Sequence, residues 1–397
     1  MYDVIVVGAR CAGSPLAMRL ARSGHRVLMV DRATFPSDTM STHFIQSPGM
    51  IRLARWGLVD KLWEAGTPPV GSAYLQSTET SMEIDFNEYP GFPEVSGLAS
   101  PRRTILDKIL VDAALEAGAE LAERVTISSL LRDGDRVIGV EGHTPDGSFR
   151  AEAKFVVGAD GRHSFVASAV DAEFRRIEPE KACGYYSYFS GVDIFRTEIY
   201  TTDDTICAAF PTNDGLFTVA VEWIGRDMKE VRGDVDKHFL STLDTLGEIG
   251  PKVQAGERAA QYVGLADIDN FLRQAHGPGW ALVGDACYFK DPAPADGISD
   301  AFRGADFLAD ALDDILTGRA EEQNAFARYQ ERQDELAVPL LDHTVTLAAV
   351  GTPSQKRLES FIEIRMLTEM ECMSLVSEQE VGEQGGDSVG IHVFSGV

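Results

Sequence analysis

The chain has 397 residues, of which 44% are hydrophobic and 25% are charged. This composition is typical of a globular protein, and the length predicts two domains instead of one small core. The formal net charge of −26 would repel nucleic-acid phosphates and anionic lipid surfaces. We therefore expect no nucleic-acid partner and no stable membrane association.

The five cysteines are scattered without a Cys-x-x-Cys pair, and the eight histidines follow no metal-ligand spacing. These patterns argue against a disulfide framework and against a bound metal. The N-terminus has no basic region before its first apolar residues, and no apolar run is long enough to cross a bilayer. The sequence therefore predicts a cytoplasmic protein that holds no metal.

The chain opens with a predicted strand (4–7), a helix (14–23) and a second strand (26–30). The turn between the first strand and the helix reads Gly-Ala-Arg-Cys-Ala-Gly. Its first glycine permits a tight turn, its last glycine lets helix and strand pack closely, and the helix start offers N–H groups to a pyrophosphate. Asp31 follows the second strand, where an acid usually binds ribose hydroxyls. This unit predicts a dinucleotide site made of Gly8, Arg10, Cys11, Ala12, Gly13, Asp31 and Arg32.

Arg10 is the one irregularity, because it replaces the glycine at which the backbone normally approaches the phosphates. Its side chain reduces the clearance there, but its guanidinium could help to neutralise the diphosphate. The turn alone does not distinguish NAD from FAD.

Periodicity predicts the remaining elements. The stretch 178–266 alternates aromatic and polar residues and predicts antiparallel strands of a second domain. The residues after about 330 are predicted to be helical with a weakly structured end. The other predicted elements are helix 104–117, strand 120–125, hairpin strands 136–142 and 148–155, a separate buried strand 155–157, strand 280–283 and helix 298–317.

Two further acidic segments follow predicted strands. Asp285 ends the strand 280–283, and a loop with Pro292 and Gly297 then leads into the long helix. A carboxylate at a strand end can bind a polyol, and a helix start would stabilise negative charge on a reduced flavin. The other segment, Gly-Ala-Asp-Gly with Asp160, ends the strand 155–157, although Asp-Gly is also a common turn dipeptide.

In their order and spacing, these three segments resemble the FAD-dependent aromatic hydroxylases of the para-hydroxybenzoate hydroxylase type. The details are nearest to the branch with flavin-dependent halogenases and geranylgeranyl reductases, and the resemblance covers about the first 330 residues. It implies that the glycine turn and Asp31 bind the ADP half of FAD, and that Asp285 binds the ribityl chain. The further cofactor residues that it implies are Arg103, Val125, Asp160, Pro292, Gly297 and Ile298.

The predicted fold is α/β, with a Rossmann-like FAD-binding domain, an inserted and mainly antiparallel β-sheet substrate domain, and a helical C-terminal segment. The FAD-binding domain is discontinuous, and the sheet domain interrupts it twice. The predicted ranges are 1–75, 98–177 and 275–330 for FAD binding, 76–97 and 178–274 for the substrate sheet, and 331–397 for the C-terminal segment.

Departures from the sequence pattern of this family refine the prediction. The tryptophan-rich Gly-x-Trp-x-Trp-x-Ile segment of the halogenases is absent, which argues against halogenation. His163 stands where relatives often carry an arginine. His43 lies in the loop that resembles the flavin-covering stretch, and it is either a proton donor near the flavin or a structural loop histidine. Three aromatic residues of the central sheet are either a substrate wall or ordinary core: Tyr186, Tyr188 and Phe210.

The chain has one glycine fingerprint, so NADPH or NADH would bind only transiently as the reductant. The resemblance implies a monooxygenase, in which reduced FAD and O₂ form a C4a-hydroperoxide that hydroxylates an aromatic or apolar small molecule. The alternatives are an FAD-dependent reductase of isoprenoid double bonds and a flavin protein with a binding or redox-sensing role. The substrate, the choice between NADPH and NADH, and the presence of a homodimer stay open.

Overall fold

The computed structural model describes residues 1–86 and 88–383. The strands are β1 (Tyr2–Val7), β2 (Val27–Val30), β3 (Ser72–Gln76), β4 (Ser81–Asp85), β5 (Glu120–Ala122), β6 (Thr126–Asp133), β7 (Arg136–Thr144), β8 (Gly147–Gly158), β9 (Phe174–Ser190), β10 (Thr197–Thr201), β11 (Thr205–Pro211), β12 (Leu216–Ile224), β13 (Glu257–Arg258), β14 (Val263–Arg273), β15 (His276–Gly277), β16 (Trp280–Leu282) and β17 (Tyr288–Phe289).

The helices are α1 (Gly13–Arg22), α2 (Ser47–Trp56), α3 (Val59–Glu64), α4 (Arg103–Glu116), α5 (Phe165–Ala169), α6 (Met228–Val231), α7 (Val235–Leu243), α8 (Ile249–Gln254), α9 (Gly297–Leu316), α10 (Glu322–Ala348) and α11 (Ser354–Glu383). Two short 3₁₀ turns cover Asn213–Gly215 and Gly284–Ala286.

The first sheet has the strand order β15-β16-β8-β1-β2-β5. Its central strands β16, β8, β1, β2 and β5 run parallel. β1 and β2 are apolar and largely buried because helices cover a parallel sheet of this kind. Ligands of open parallel sheets bind beyond the carboxyl ends of the strands, and all three sequence motifs follow strand ends of this sheet.

β8 was predicted as two strands, and this prediction was wrong. Its first half pairs antiparallel with β7, and its second half pairs parallel with β1. The alternation of exposed and buried residues changes to continuous burial along the same strand, which is why the sequence pattern indicated two elements.

The second sheet has the strand order β17-β14-β9-β12-β11-β10-β3-β4, and its pairs are antiparallel except for β10 with β3. Its core includes residues of α7 and α8 on one side. The predicted fold class is confirmed: a Rossmann-like parallel sheet, an inserted and mainly antiparallel sheet, and C-terminal helices. The exact division into domains stays a prediction. Residues 72–75 of β3, which the prediction placed in the FAD-binding domain, pair within the second sheet.

The C-terminal helices connect the two sheets. A core cluster joins Leu340, Leu358 and Phe361 of α10 and α11 to Leu75 and Ile206 of the second sheet. α10 also packs against α9, and α11 packs against α2. The weakly structured end predicted after α11 lies outside the described residues.

Phe302 of α9 is fully buried and meets Trp56 of α2 edge-on, with ring centroids 5.1 Å apart. We expect Phe302→Ala to lower the free energy of unfolding by about 3–5 kcal/mol, because it removes a buried ring and leaves a cavity. Urea unfolding followed by circular dichroism measures this change. Phe195 is 81% exposed, so Phe195→Ala is the matched control and should leave the midpoint unchanged. A wild-type midpoint for Phe302→Ala would contradict the packing of α9 described above.

Candidate functional site

The β1–α1 turn is held by close backbone contacts. Gly8 has a φ of +103°, and a Cβ atom there would lie 2.3 Å from the carbonyl oxygen of Ala159. A Cβ at Gly13 would lie 1.8 Å from the carbonyl oxygen of Gly8. Both positions therefore require glycine, and the turn lies directly against the end of β8.

Asp31 stabilises this turn through both oxygens of its buried carboxylate. Oδ2 accepts a hydrogen bond from the Ala9 N–H and Oδ1 from the Ala33 N–H, each at 2.8 Å. The Val125 N–H donates to the Asp31 carbonyl oxygen at 2.9 Å. Each carboxylate oxygen keeps a further lone pair, so a ribose hydroxyl can still bind. The structure thus brings Val125 beside Asp31, whereas the side chain of Arg32 lies at an exposed position.

Arg10 and Arg103 share one carboxylate, that of Asp107 on α4. Arg10 Nη1 lies 2.5 Å from Asp107 Oδ2, and Arg103 forms a two-point contact with the same side chain at 2.9 and 3.1 Å. The Cys11 thiol lies 3.5 Å from Asp107 Oδ1. Asp107 is completely buried and was missed in the sequence, although its i, i+4 spacing from Arg103 on a helix was a usable signal.

Asp160 caps the short helix α5. Its carboxylate accepts hydrogen bonds from Ser164 Oγ at 2.5 Å and from the Phe165 N–H at 2.7 Å. Burial raises the pKa of Asp160, and these hydrogen bonds oppose the increase. The carboxylate therefore orders the loop that contacts Gly8, while a direct contact of Asp160 with FAD stays a prediction.

Gly284 and Asp285 bring the third motif to the first. Gly284 has a φ of +61°, and a Cβ atom there would lie 2.8 Å from the Ala12 side chain in the glycine turn. Burial raises the pKa of Asp285 to about 6, and the Arg103 cation opposes this increase. Asp285 therefore follows a glycine that contacts the turn, and its charge is partly compensated by Arg103 of α4.

The loop from residue 290 to 297 packs against the segment that follows β2. The Gln46 N–H donates to Ser299 Oγ, and Gln46 Nε2 donates to the Pro294 carbonyl oxygen, both at 3.1 Å. Gly297, the first residue of α9, is exposed, and a Cβ atom there would meet no atom within 4 Å. Packing within the protein therefore does not explain why a glycine stands here. Free space lies in front of the start of α9, and the next residue, Ile298, is buried.

His43 joins the second sheet to the segment that follows β2. It is fully buried with a φ of +65°, and its Nε2 lies 2.6 Å from the Tyr188 hydroxyl. Its ring meets that of Tyr186 edge-on, with centroids 5.4 Å apart. Burial lowers the pKa of His43 to about 3, with Arg103 adding to this effect. His43 is therefore neutral at physiological pH, and the tautomer of its ring sets which of the two groups, Nε2 or the Tyr188 hydroxyl, donates in this hydrogen bond.

Phe210 lies beside this aromatic cluster. Its ring is 5.5 Å from that of Phe44, the residue after His43. The structure thus brings Tyr186, Tyr188 and Phe210 to the same segment.

Among residues 1–86 and 88–383, His, Cys, Asp and Glu side chains form no group that could hold a metal ion. No helix within these ranges is long and apolar enough to cross a membrane.

The arrangement fits FAD. A glycine cradle and a helix start suit a diphosphate, Asp31 suits a ribose, Asp285 suits a polyol, and the free space at Gly297 suits a ring in front of α9. The fold and this set of groups define a flavoprotein of the Rossmann-like class.

The chain belongs to the family described as the FAD binding domain, whose model matches residues 1–344. The predicted family resemblance and the FAD cofactor are therefore confirmed, and the protein is an FAD-dependent oxidoreductase.

Three relatives illustrate the range of activities in related proteins. The 1H-pyrrole-2-carbonyl-[peptidyl-carrier protein] brominase of Pseudoalteromonas luteoviolacea is 24% identical, over 80% of this chain and 78% of its own. Digeranylgeranylglycerophospholipid reductase 1 of Methanopyrus kandleri is 27% identical, over 84% and 86%. The 12-dehydrotetracycline 5-monooxygenase/anhydrotetracycline 6-monooxygenase of Streptomyces rimosus is 23% identical, over 89% and 71%.

Solved structures show the same fold. The myxobacterial chondrochloren halogenase CndH superimposes with a TM-score of 0.79 at 21% identity, over 96% of this chain and 97% of its own. PqsL of Pseudomonas aeruginosa, in complex with 2-aminobenzoylacetate, superimposes with a TM-score of 0.78 at 21% identity, over 91% and 99%.

The raised pKa of Asp285 predicts a pH-dependent stability of the FAD-free protein. Because the folded-state pKa lies above the unfolded value, folding takes up a proton between about pH 4 and 6, and stability from this group is lost as the pH rises through 6. We therefore expect Asp285→Asn to raise the melting temperature of the apoprotein more at pH 8 than at pH 5.

The same substitution should weaken FAD binding, since it removes an ionised acceptor. Thermal melts and flavin fluorescence titrations measure the two effects. The exposed Asp135 provides the control variant Asp135→Asn, for which neither effect is expected. A stabilisation by Asp285→Asn that is equal at the two pH values would contradict the assignment of the raised pKa to this carboxyl.

Proposed function

We propose that this chain is a monooxygenase that uses FAD, NADPH or NADH, and O₂ to hydroxylate an aromatic or apolar small molecule. The observation that carries the proposal is the buried aromatic cluster of His43, Tyr186 and Tyr188 beside the segment that contacts the loop 290–297. A wall of this kind keeps water away from the reacting atoms, and water exclusion limits the loss of activated oxygen as peroxide.

The bound flavin supplies the transfer of electrons and the activation of oxygen. The residues of the chain hold and orient it: the glycine turn binds the diphosphate, Asp31 the adenosine ribose, and Asp285 the ribityl chain. The start of α9 would present N–H groups to the part of a bound flavin where negative charge accumulates on reduction. The full set that we assign to FAD is Gly8, Arg10, Cys11, Ala12, Gly13, Asp31, Arg32, Arg103, Val125, Asp160, Asp285, Pro292, Gly297 and Ile298.

Tyr186, Tyr188 and Phe210 are assigned to the substrate side of the site. Their rings are planar and buried, which suits stacking or edge contacts with an aromatic or apolar substrate. The similarity to the tetracycline monooxygenase of Streptomyces rimosus supports this class of substrate.

A reductase of isoprenoid double bonds is the second candidate, and the hydrogen bond between Tyr188 and His43 favours it. Such a reaction adds a hydride to one carbon and a proton to the other, and a buried tyrosine held by a neutral histidine is a suitable proton source. The similarity to the digeranylgeranylglycerophospholipid reductase of Methanopyrus kandleri supports this candidate.

The two candidates differ in their need for oxygen. The FAD-loaded protein is incubated with NADPH or NADH, ¹⁸O₂ and a panel of phenols, polyketide-like aromatics and isoprenoids, and the products are analysed by mass spectrometry. We expect one ¹⁸O atom in the product and no conversion without O₂. Conversion of an isoprenoid with a mass gain of two hydrogens under anaerobic conditions would instead establish the reductase, and a halide-dependent product would establish a halogenase.

The position assigned to the flavin ring is tested at Gly297. A side chain at Gly297 starts in open space, because its Cβ atom would meet no protein atom within 4 Å. Gly297→Val should therefore leave the melting temperature of the apoprotein nearly unchanged. We expect its dissociation constant for FAD to rise about tenfold or more, because a steric clash in a binding site commonly costs more than about 1.4 kcal/mol. Flavin fluorescence titration measures it.

Gly233 provides the matched control. It is also exposed, a Cβ atom there would meet no atom within 4 Å, and its φ is not positive. It lies near α6 and α7, far along the chain from the three motifs. Gly233→Val should change neither quantity. Unchanged FAD binding by Gly297→Val would place the ring elsewhere.

A further inference from the structure

The start of α9 is connected to the C-terminal helix by a chain of buried charges. Lys290 Nζ lies 3.1 Å from Asp296 Oδ2 and 2.8 Å from Asp300 Oδ2. Arg303 lies 2.5 Å from Asp300 and 3.0 Å from Glu371 of α11. Glu371 also contacts Arg52 of α2 at 2.7 Å. We call these six side chains the α9 charge chain: Lys290, Asp296, Asp300, Arg303, Glu371 and Arg52.

The α9 charge chain is balanced and is shielded from water. It contains three cations and three carboxylates, and each of the six side chains is at most 8% exposed. Arg52 also meets Asp306 at 3.0 Å, and Asp306 in turn pairs with Arg19, so this neighbouring pair adds no net charge. Burial alone would raise the pKa of Asp300, yet Lys290 and Arg303 hold it below its usual value. Removal of one partner from such a group leaves an uncompensated charge, which water cannot screen.

The members of the α9 charge chain belong to different parts of the protein. Asp296 and Asp300 flank the first turn of α9, at the end that we assign to the flavin pyrimidine. Glu371 lies on α11, beyond the residues 1–344 that match the family model. The C-terminal helix therefore supplies a charge that the FAD-binding family region does not contain.

We propose that Glu371 is a positioning residue for the flavin, which sets the electrostatic potential at the start of α9 by completing the neutralisation of Arg303 and Arg52. The other carboxylate partners of these arginines are Asp300 for Arg303 and Asp306 for Arg52. The proposal rests on the flavin position of the proposed function, but not on the reaction that the flavin performs. Reduction places negative charge on the ring, so an additional positive charge in the buried chain makes reduction more favourable.

The test is the flavin midpoint potential of the FAD-loaded Glu371→Gln variant at pH 8, measured by equilibration with a reference dye. We expect the potential to rise and the equilibrium constant for reduction to change by about fivefold. This is the order of magnitude that Coulomb's law gives for one unscreened charge acting over roughly 15–20 Å at an effective dielectric constant near 20. Glu371→Asp, which keeps the charge, should stay close to the wild type. A wild-type potential for Glu371→Gln overturns the proposal.

Two further variants separate charge from packing. Glu378 lies on the same helix and forms an exposed pair with Arg55, so Glu378→Gln makes the same change in net charge and should leave the potential unchanged. The double variant Arg52→Gln with Glu371→Gln restores the balance of the α9 charge chain and should return the potential to the wild-type value. An equal rise in Glu378→Gln, or a double variant that keeps the rise, overturns the proposal.

The double variant also decides the outcome if Glu371→Gln alone does not fold. A folded, FAD-loaded double variant with the wild-type potential supports the proposal that the net charge of the α9 charge chain sets the flavin potential. A double variant with an altered potential overturns this proposal. The flavin position is tested separately by Gly297→Val. If that variant impairs FAD binding while Glu371→Gln leaves the potential unchanged, the flavin position holds and the role of Glu371 fails.

Discussion

The site depends on the backbone contact between the β1–α1 turn and the end of β8. Gly8 turns with a positive φ directly against the Ala159 carbonyl, and Gly13 lies against the Gly8 carbonyl. No side chain fits between these atoms, so the start of α1 lies close to the strand ends. Gly284 contacts the same turn through Ala12. Three loops that are distant in sequence therefore meet at one edge of the parallel sheet, where the fold accommodates FAD.

Buried charge is the second constraint, and it is satisfied by sharing carboxylates. Asp107 pairs with both Arg10 and Arg103 beside the glycine turn. Glu371 pairs with both Arg52 and Arg303 near α9. These two arginines have a second carboxylate each, Asp306 for Arg52 and Asp300 for Arg303. Loss of a shared carboxylate would therefore leave an excess of buried positive charge. The aromatic cluster around His43 has the opposite character, since burial keeps its histidine neutral. The protein thus combines paired buried charges around the glycine turn and α9 with an aromatic cluster whose own side chains are neutral and which Arg102 borders, 5.0 Å from the Tyr188 ring.

The elements that the sequence predicted best are those with a strong local signal. β1, α1, α4 and α9 begin and end within a few residues of their predicted bounds, because apolar periodicity and cap residues are local properties. β8 was divided in two because its partners change midway along the strand, and no local pattern reports a change of partner. The helices α7 and α8 inside the sheet domain were not predicted.

The sequence by itself determined the parallel nucleotide-binding unit, because the glycine turn and Asp31 act on near neighbours or stand at a standard spacing. The alternating residues of 178–266 indicated the inserted sheet, and the order and spacing of the three motifs together indicated FAD. Only the tertiary structure decided that Asp107 binds Arg10 across 97 residues, that Tyr188 meets His43 across 145, and that Glu371 reaches Arg303 across 68. Such pairs depend on how sheets and helices pack. The partner of a charged group or a hydroxyl is therefore known only once the tertiary fold has brought the two groups together.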